Sequence, residues 1–254
     1  MAKTSIEWLR NKDGSKGYSW NPISGCTKVS AGCAHCYASS MAHRFWGERK
    51  FTDVRCHPEK LDEPLKLKKS AKIFVNSMSD IGHPNVPSSF RADILSIIEK
   101  ADWHTFLILT KRLEWLQGFK LPYPNLWLGV SVEDQATADE RIPVLLQTPA
   151  AHRFISVEPM LGAVDFNSII MPDGDHLGKL FNHGTGTGID WVICGGETGP
   201  GARPIQREWV IDLRDQCVGV SVPFFFKQWG GKANGNHLHI IDGVEWHQFP
   251  EEMA

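Results

Sequence analysis

Three cysteines fall within eleven residues of this chain: Cys26, Cys33 and Cys36, in the segment Gly25-Cys26-Thr27-Lys28-Val29-Ser30-Ala31-Gly32-Cys33-Ala34-His35-Cys36-Tyr37. The spacing is C-x6-C-x2-C. Three soft thiolates on one loop can hold an iron–sulfur cluster or zinc. A closed zinc site needs a fourth protein ligand, for which His35, His43 and Cys56-His57 are candidates. A cluster held by three thiolates leaves one iron open, and an open iron can chelate a small molecule. A redox pair of Cys33 and Cys36 would leave Cys26 without a purpose. Ordinary buried cysteines are the plainest alternative, and Cys56, Cys194 and Cys217 are read that way, as core or edge residues.

A loop of this kind needs a scaffold, and the chain supplies short apolar runs that each end in polar or glycine residues. After a first candidate strand near Tyr18 to Ile23 come Lys72–Val75, Thr105–Leu109, Leu126–Val130, Arg153–Val157, Trp191–Cys194 and Pro223–Phe226. Near-continuous apolarity suits parallel strands covered on both faces. Helical periodicity falls between several of them, over Pro87–Ala101, Gln135–Gln147 (with Pro143 inside) and Arg207–Val218. Strand, loop, helix, strand is the grammar of an α/β fold with right-handed crossovers. A doubly wound sheet would open on a glycine-rich phosphate loop, and none is present. The expected fold is therefore an incomplete (β/α)6-type TIM-like barrel with a C-terminal β-hairpin appendage. Residues 1–230 would form the barrel, and residues 231–254 a tail packed on the same domain. Asp242-Gly243 predicts the hairpin turn.

Barrel sites lie at the C-terminal ends of strands. The polar residues that follow the runs are Asn76, Ser77, Ser79 and Asp80; Thr110 and Lys111; Ser131 and Glu133; Glu158; Glu197; and Lys227 with Gln228. Each by itself could be a capping or loop residue; six such groups expected on one rim argue for a site. Lys111, Arg112 and Lys227 either read a phosphate or carboxylate or pair with Glu133, Glu158 and Glu197. Trp20 and Trp229 stand beside these groups and are candidates for stacking on a base. The polar, glycine-rich stretch from Met171 to Gly188 reads as a lid over a substrate or as a tolerated surface insertion.

Bulk properties narrow the partners. The chain has 254 residues, 42% hydrophobic and 22% charged, with 27 Lys and Arg against 29 Asp and Glu. A formal charge of −2 provides no global basic field for non-specific nucleic-acid binding, though a local basic groove is compatible with it. The start lacks an apolar signal core, and no run reaches the ~18 apolar residues of a membrane span. The expected location is the cytoplasm, where six cysteines are poor disulfide candidates.

The three-cysteine loop resembles that of radical S-adenosylmethionine (SAM) enzymes. Their common pattern is C-x3-C-x2-C with an aromatic residue before the last cysteine. Here the first gap is wider and His35 takes the aromatic place. Trp20-Asn21-Pro22, Phe74-Val75-Asn76-Ser77-Met78-Ser79-Asp80, Leu109-Thr110-Lys111-Arg112 and Gly129-Val130-Ser131-Val132-Glu133 extend the likeness. So do Ser156-Val157-Glu158-Pro159, Gly195-Gly196-Glu197 and Phe226-Lys227-Gln228-Trp229-Gly230. Together they resemble an uncharacterised, phage-associated three-Cys-motif family regarded as radical-SAM-like, over Thr4 to Trp246.

That resemblance implies a [4Fe–4S] cluster on Cys26, Cys33 and Cys36, with SAM on the open iron. It implies a 5′-deoxyadenosyl radical that abstracts hydrogen, and an electron donor such as flavodoxin or ferredoxin. The phage setting points to a nucleic-acid base or nucleotide as substrate, modified in the cytoplasm of a bacterial host. Ser77 and Asp80 would lie near the SAM amino group, and Ser131 and Glu133 near the ribose. His35, Tyr37, Asn76, Lys111, Glu158 and Glu197 complete the cofactor-binding candidates. Trp20, Lys227, Gln228 and Trp229 are the substrate candidates. Gly195-Gly196-Glu197 looks like the Gly-Gly-Glu element that binds the SAM amino group in radical SAM enzymes. It follows the sixth strand rather than the second, so adenine contact, substrate contact and a tight turn all stay open for it. The alternatives are a zinc-stabilised nucleic-acid-binding module without catalysis, and a metal-free barrel that partners another phage protein.

Overall fold

The apolar runs form the strands of a mostly parallel sheet. The computed structural model describes residues 1–11, 13–116, 120–171, 188–231 and 239–250. Its strands are β1 (Ala2–Lys3), β2 (Tyr18–Trp20), β3 (Ile23–Ser24), β4 (Arg55–Cys56), β5 (Lys72–Val75), β6 (Thr105–Thr110), β7 (Leu126–Val132), β8 (His152–Val157), β9 (Trp191–Gly195), β10 (Phe224–Gln228), β11 (Ile240–Ile241) and β12 (Val244–Glu245). The helices are α1 (Tyr37–Phe45), α2 (Glu63–Lys66), α3 (Ser88–Lys100), α4 (Gln135–Gln147) and α5 (Arg207–Gly219). Eight strands order as β1-β2-β5-β6-β7-β8-β9-β10. A doubly wound sheet reverses its order at a switch point. This one never reverses, which is the winding of a partial (β/α) barrel, and the expected fold class is borne out. Among the described residues no helix is long and apolar enough to cross a membrane.

Local contacts divide the chain into two compact units, residues 1–128 with 149–151, and residues 129–148 with those from 152 onward. In the first unit β1 pairs antiparallel with β2, while β2–β5 and β5–β6 are parallel. All four residues of β5 are buried, so the strand is covered on both faces. Phe90, Ile94, Leu95 and Ile98 form the buried stripe of α3 at helical spacing. Burying each such side chain stabilises by about 1.5–3 kcal/mol.

In the second unit β8–β9 and β9–β10 are parallel. Gly129 lies so close to Phe154 that an added Cβ would stand 2.4 Å from its ring. Helix α4 opens with a capping box: Asp134 accepts from the Thr137 amide while Thr137 answers the Asp134 amide. Pro143 sits buried inside it. The β11–β12 hairpin turns at Asp242 and Gly243, whose φ values of 53° and 81° are those of the expected Asp-Gly turn. The chain beyond it packs on β10: Phe226 N donates to Trp246 O, and His247 stacks on Phe225 at 4.3 Å. The Met171–Gly188 stretch, apart from its two end residues, lies outside the described residues.

Candidate metal centre

The cysteine loop is built in the first unit, directly after β2. Pro22 turns the chain into β3, which pairs with β4. Gly25 follows at φ 94°, and a Cβ there would lie 2.5 Å from Asp53 O and 2.9 Å from Phe51 O. Only glycine fits the combination of that dihedral and that crowding. Gly25 N donates to Met78 O, and Cys26 N to Phe51 O. A short turn carries Cys33, whose amide donates to Ser30 O. Cys36 stands at the residue before α1, in extended backbone with φ −60° and ψ 122°. That position is the N-terminal end of the helix.

The strand-end residues of β5 stitch this loop in place. Asn76 adopts φ 63°, a left-handed conformation, and its Oδ1 accepts from Ile23 N at 3.2 Å. The Asn21 side chain exchanges hydrogen bonds with Ser77 Oγ and accepts from Met78 N at 2.9 Å. Ser79 Oγ donates to Ile23 O, and Tyr37 Oη donates to Ser77 O at 2.6 Å. The residues before and after the three cysteines are thus tied to one turn, 76–79.

A second layer comes from β6. Asp80 accepts three bonds, from Gly82 N at 2.8 Å, Thr110 Oγ1 at 2.7 Å and Lys111 N at 3.0 Å. Arg112, only 6% exposed, sends Nη2 to both Thr27 O at 2.9 Å and Thr27 Oγ1 at 2.8 Å. His83 Nδ1 accepts from Asn85 N, which leaves its proton on Nε2, 3.0 Å from Thr27 Oγ1. Burial first, and then the Arg112 charge, push the His83 pKa down. The residue next to Cys26 is therefore held from two directions.

The thiols differ electrostatically. Burial, and then the Asp80 carboxylate, push the Cys26 thiol up to about 12; Cys33 and Cys36 add to the rise and Arg112 opposes it. Burial also raises Cys33, but backbone hydrogen bonding from Val29 and the Lys111 ammonium outweigh it, and its pKa falls. Cys194 and Cys217, both buried, are pushed up by burial, as is Cys56. His57 bonds Ser24 Oγ at 2.7 Å and Glu59 at 3.2 Å. His35 and His43 are exposed. Among the described residues, no three His, Cys, Asp or Glu side chains converge as ligands of a single ion. A cluster imposes a different requirement, because each thiolate binds its own iron. The three-thiol loop, with cations at Lys111 and Arg112 to offset thiolate charge, fits that donor chemistry.

Apart from Trp20, the remaining candidates belong to the second unit, where they gather around Glu133, Glu158 and Glu197. Glu133 is wholly buried, with Oε1 3.4 Å from Arg141 Nη1, which also donates to Ser131 O. Glu158 pairs with Lys227 and accepts from Gln228 Nε2 at 3.1 Å; that amide also donates to Gly196 O. Salt bridging is one of the two outcomes the sequence left open for Lys227. Glu197, 5% exposed, is gripped by Arg203 through its amide, Nε and Nη2. A Cβ on Gly196 would lie 2.2 Å from Trp229 O, so close strand-end packing accounts for that glycine. Trp229 donates Nε1 to Ile240 O and leans on Phe226 at 4.7 Å.

Back in the first unit, Trp20 is fully buried, donates to Lys60 O and lies edge-on to Phe106. Thr27, His83 and Asn21, and in the second unit Arg141 and Arg203, were not singled out from sequence. Their partners lie up to 85 positions away, and only Thr27 and Asn21 among them stand inside quoted motifs.

Fold and loop define a mostly parallel α/β protein with three cysteines on the loop that follows its first parallel strand. The chain belongs to the family described as protein of unknown function (DUF5131), matched over residues 3–250. Among curated proteins nothing matches it. It is similar to two solved structures. One, a cysteine-to-serine mutant of spore photoproduct lyase, overlaps 91% of this chain and 78% of its own at 10% identity, with a TM-score of 0.47. The other, spore photoproduct lyase complexed with dinucleoside spore photoproduct, overlaps 90% and 79% at 11% identity, with a TM-score of 0.45. Scores of that size establish neither a shared activity nor a shared substrate.

Proposed function

We propose that this protein is a radical SAM enzyme, with Cys26, Cys33 and Cys36 as the ligands of a [4Fe–4S] cluster. One observation carries the reading: three free thiols share a loop stitched to the ends of β5 and β6. When bound, a cluster with one open iron supplies one-electron cleavage of the SAM sulfonium bond, and with it a 5′-deoxyadenosyl radical for hydrogen abstraction. The chain's own residues bind and orient. Lys111 and Arg112 offset the charge of the thiolates, and Thr27, clamped by Arg112 and His83, holds Cys26 in place. Ser77 and Asp80 are assigned to the SAM amino group. A carboxylate has about four lone-pair sites, and the protein occupies three on Asp80.

The proposed substrate is a nucleic-acid base or nucleotide, by the family resemblance, and the proposed setting is the cytoplasm of a bacterial cell. Reconstituting the full chain anaerobically with iron and sulfide should give about four irons per chain and broad visible absorption. Cys26→Ala, Cys33→Ala and Cys36→Ala should each abolish the cluster, while Cys56→Ala, Cys194→Ala and Cys217→Ala should leave it. The reduced protein should form 5′-deoxyadenosine from SAM. Stoichiometric zinc without iron after anaerobic purification would overturn the proposal in favour of the zinc-stabilised nucleic-acid-binding module.

A further inference from the structure

Helix α1 is amphipathic the wrong way round. Its buried positions are Ala38 and Ala42, the smallest apolar side chains available. Its large apolar residues, Tyr37, Met41 and Phe45, recur every four positions on one stripe and are 53%, 45% and 65% exposed. Val29, on the cysteine loop itself, is 48% exposed. Four of the seven strongly exposed large apolar side chains among the described residues thus lie in a 17-residue span around Cys33 and Cys36. Such residues normally face a core; an exposed concentration of them marks a surface that is covered in use.

The charge of the wider stretch around it says what covers it. From Cys26 to Lys50 the cations are Lys28, Arg44, Arg49 and Lys50 against one anion, Glu48, and Arg49 pairs with Asp53 just beyond, so Lys28, Arg44 and Lys50 stay in excess in a chain whose net is −2. The Arg44 guanidinium lies 5.1 Å over the Phe45 ring, which sets a cation directly beside the apolar stripe. Lys28 is exposed next to Val29 and also donates to Ala34 O. An apolar patch edged with cations complements an acidic protein surface with an apolar centre. A nucleic acid would call for a denser basic array, and it gains little from Met41.

We infer that the exposed face of α1 is the docking surface for a small acidic electron-carrier protein of low potential. This rests on the proposed cluster, which must be reduced from outside. The helix begins at the residue after Cys36, so a carrier seated on it sits next to one of the cluster's ligands. Electron-transfer encounters are weak and bury less than about 1,200 Å², a scale that a nine-residue helix and one loop can supply.

The test uses the reconstituted full chain and follows bleaching of the cluster by stopped flow. A reduced bacterial flavodoxin of acidic net charge is the probe, and dithionite, which needs no docking, is the control. The double variant M41S/F45S should be reduced by flavodoxin at least about tenfold more slowly and by dithionite at the parent rate. Arg44→Glu should slow flavodoxin by about tenfold at low salt, and raised salt should narrow that gap. Parent-like flavodoxin rates in both variants would overturn the inference, as would variants that lose affinity for a single-stranded oligonucleotide while keeping their flavodoxin rate. If dithionite bleaches nothing in the parent chain, the cluster proposal itself has failed, and that outcome is distinct from a docking failure.

Discussion

Arg112 links two segments 85 positions apart, and removing it tests whether the cysteine loop is held as described. Arg112→Met keeps the apolar stem of the side chain and deletes both bonds to Thr27. A hydrogen bond from a charged donor contributes about 1.5–3 kcal/mol, so the pair at 2.9 and 2.8 Å contributes roughly 3–6 kcal/mol. Against this, the side chain is 6% exposed and its Nη1 is a buried donor without a partner, so the substitution also relieves a desolvation cost. Replacing a buried charge by an apolar side chain offsets part of the loss, about 1–3 kcal/mol. The expected net loss is about 2–3 kcal/mol. It is read as a lower urea midpoint for the cluster-free protein, with iron lost more readily from the reconstituted chain during gel filtration. Arg112→Lys should recover only part of this, because an ammonium restores the charge but the shorter side chain does not carry its nitrogen to where Nη2 stands between the two acceptors. An unchanged midpoint and unchanged iron retention in Arg112→Met would show that the contact holds nothing, and the account of the loop would be wrong.

Three further outcomes follow from the same geometry. In cluster-free protein at pH 8, alkylation followed by peptide mass spectrometry should label Cys33 well before Cys26. A thiol near 12 is only about one part in ten thousand thiolate at that pH, and the thiolate fraction should grow as pH rises toward that value. Gly25→Ala adds a Cβ 2.5 Å from Asp53 O at φ 94° and should cost at least about 2 kcal/mol in urea unfolding; a parent-like midpoint would refute the close approach. Glu133→Ala leaves the buried Arg141 with only the exposed Glu140 carboxylate, 3.7 Å from its Nε, and should cost about 3–5 kcal/mol. A smaller loss than in the exposed-pair variant Asp62→Ala would show that the buried pair is not formed.

The sequence by itself determined what is local. Continuous apolar runs marked the strands, and helical periodicity set α3 to within a residue of Pro87–Ala101 and placed α4 at its observed bounds. The C-x6-C-x2-C spacing marked a candidate metal-binding loop, because three cysteines on eleven residues stay neighbours in sequence whatever the chain does elsewhere. Asp242-Gly243 announced its turn for the same reason. Each of these signals lives within one or two turns of backbone.

Tertiary structure decided everything that depends on which distant segments meet. Trp20 and Trp229 looked alike beside their motifs, yet Trp20 is in the core, because β2 packs it against Phe106 from β6. Asp80 and Glu133 read as equivalent strand-end carboxylates. One became the acceptor for a turn and the next strand's end, the other the buried partner of Arg141. Neither fate is encoded near the residue itself. It follows from hydrogen-bonding demand in a buried place, which is met by whatever donor the fold brings within 3.5 Å. The outward stripe of α1 is the same lesson reversed. Periodicity shows that Tyr37, Met41 and Phe45 share a face, but only packing shows that the core lies behind the alanines.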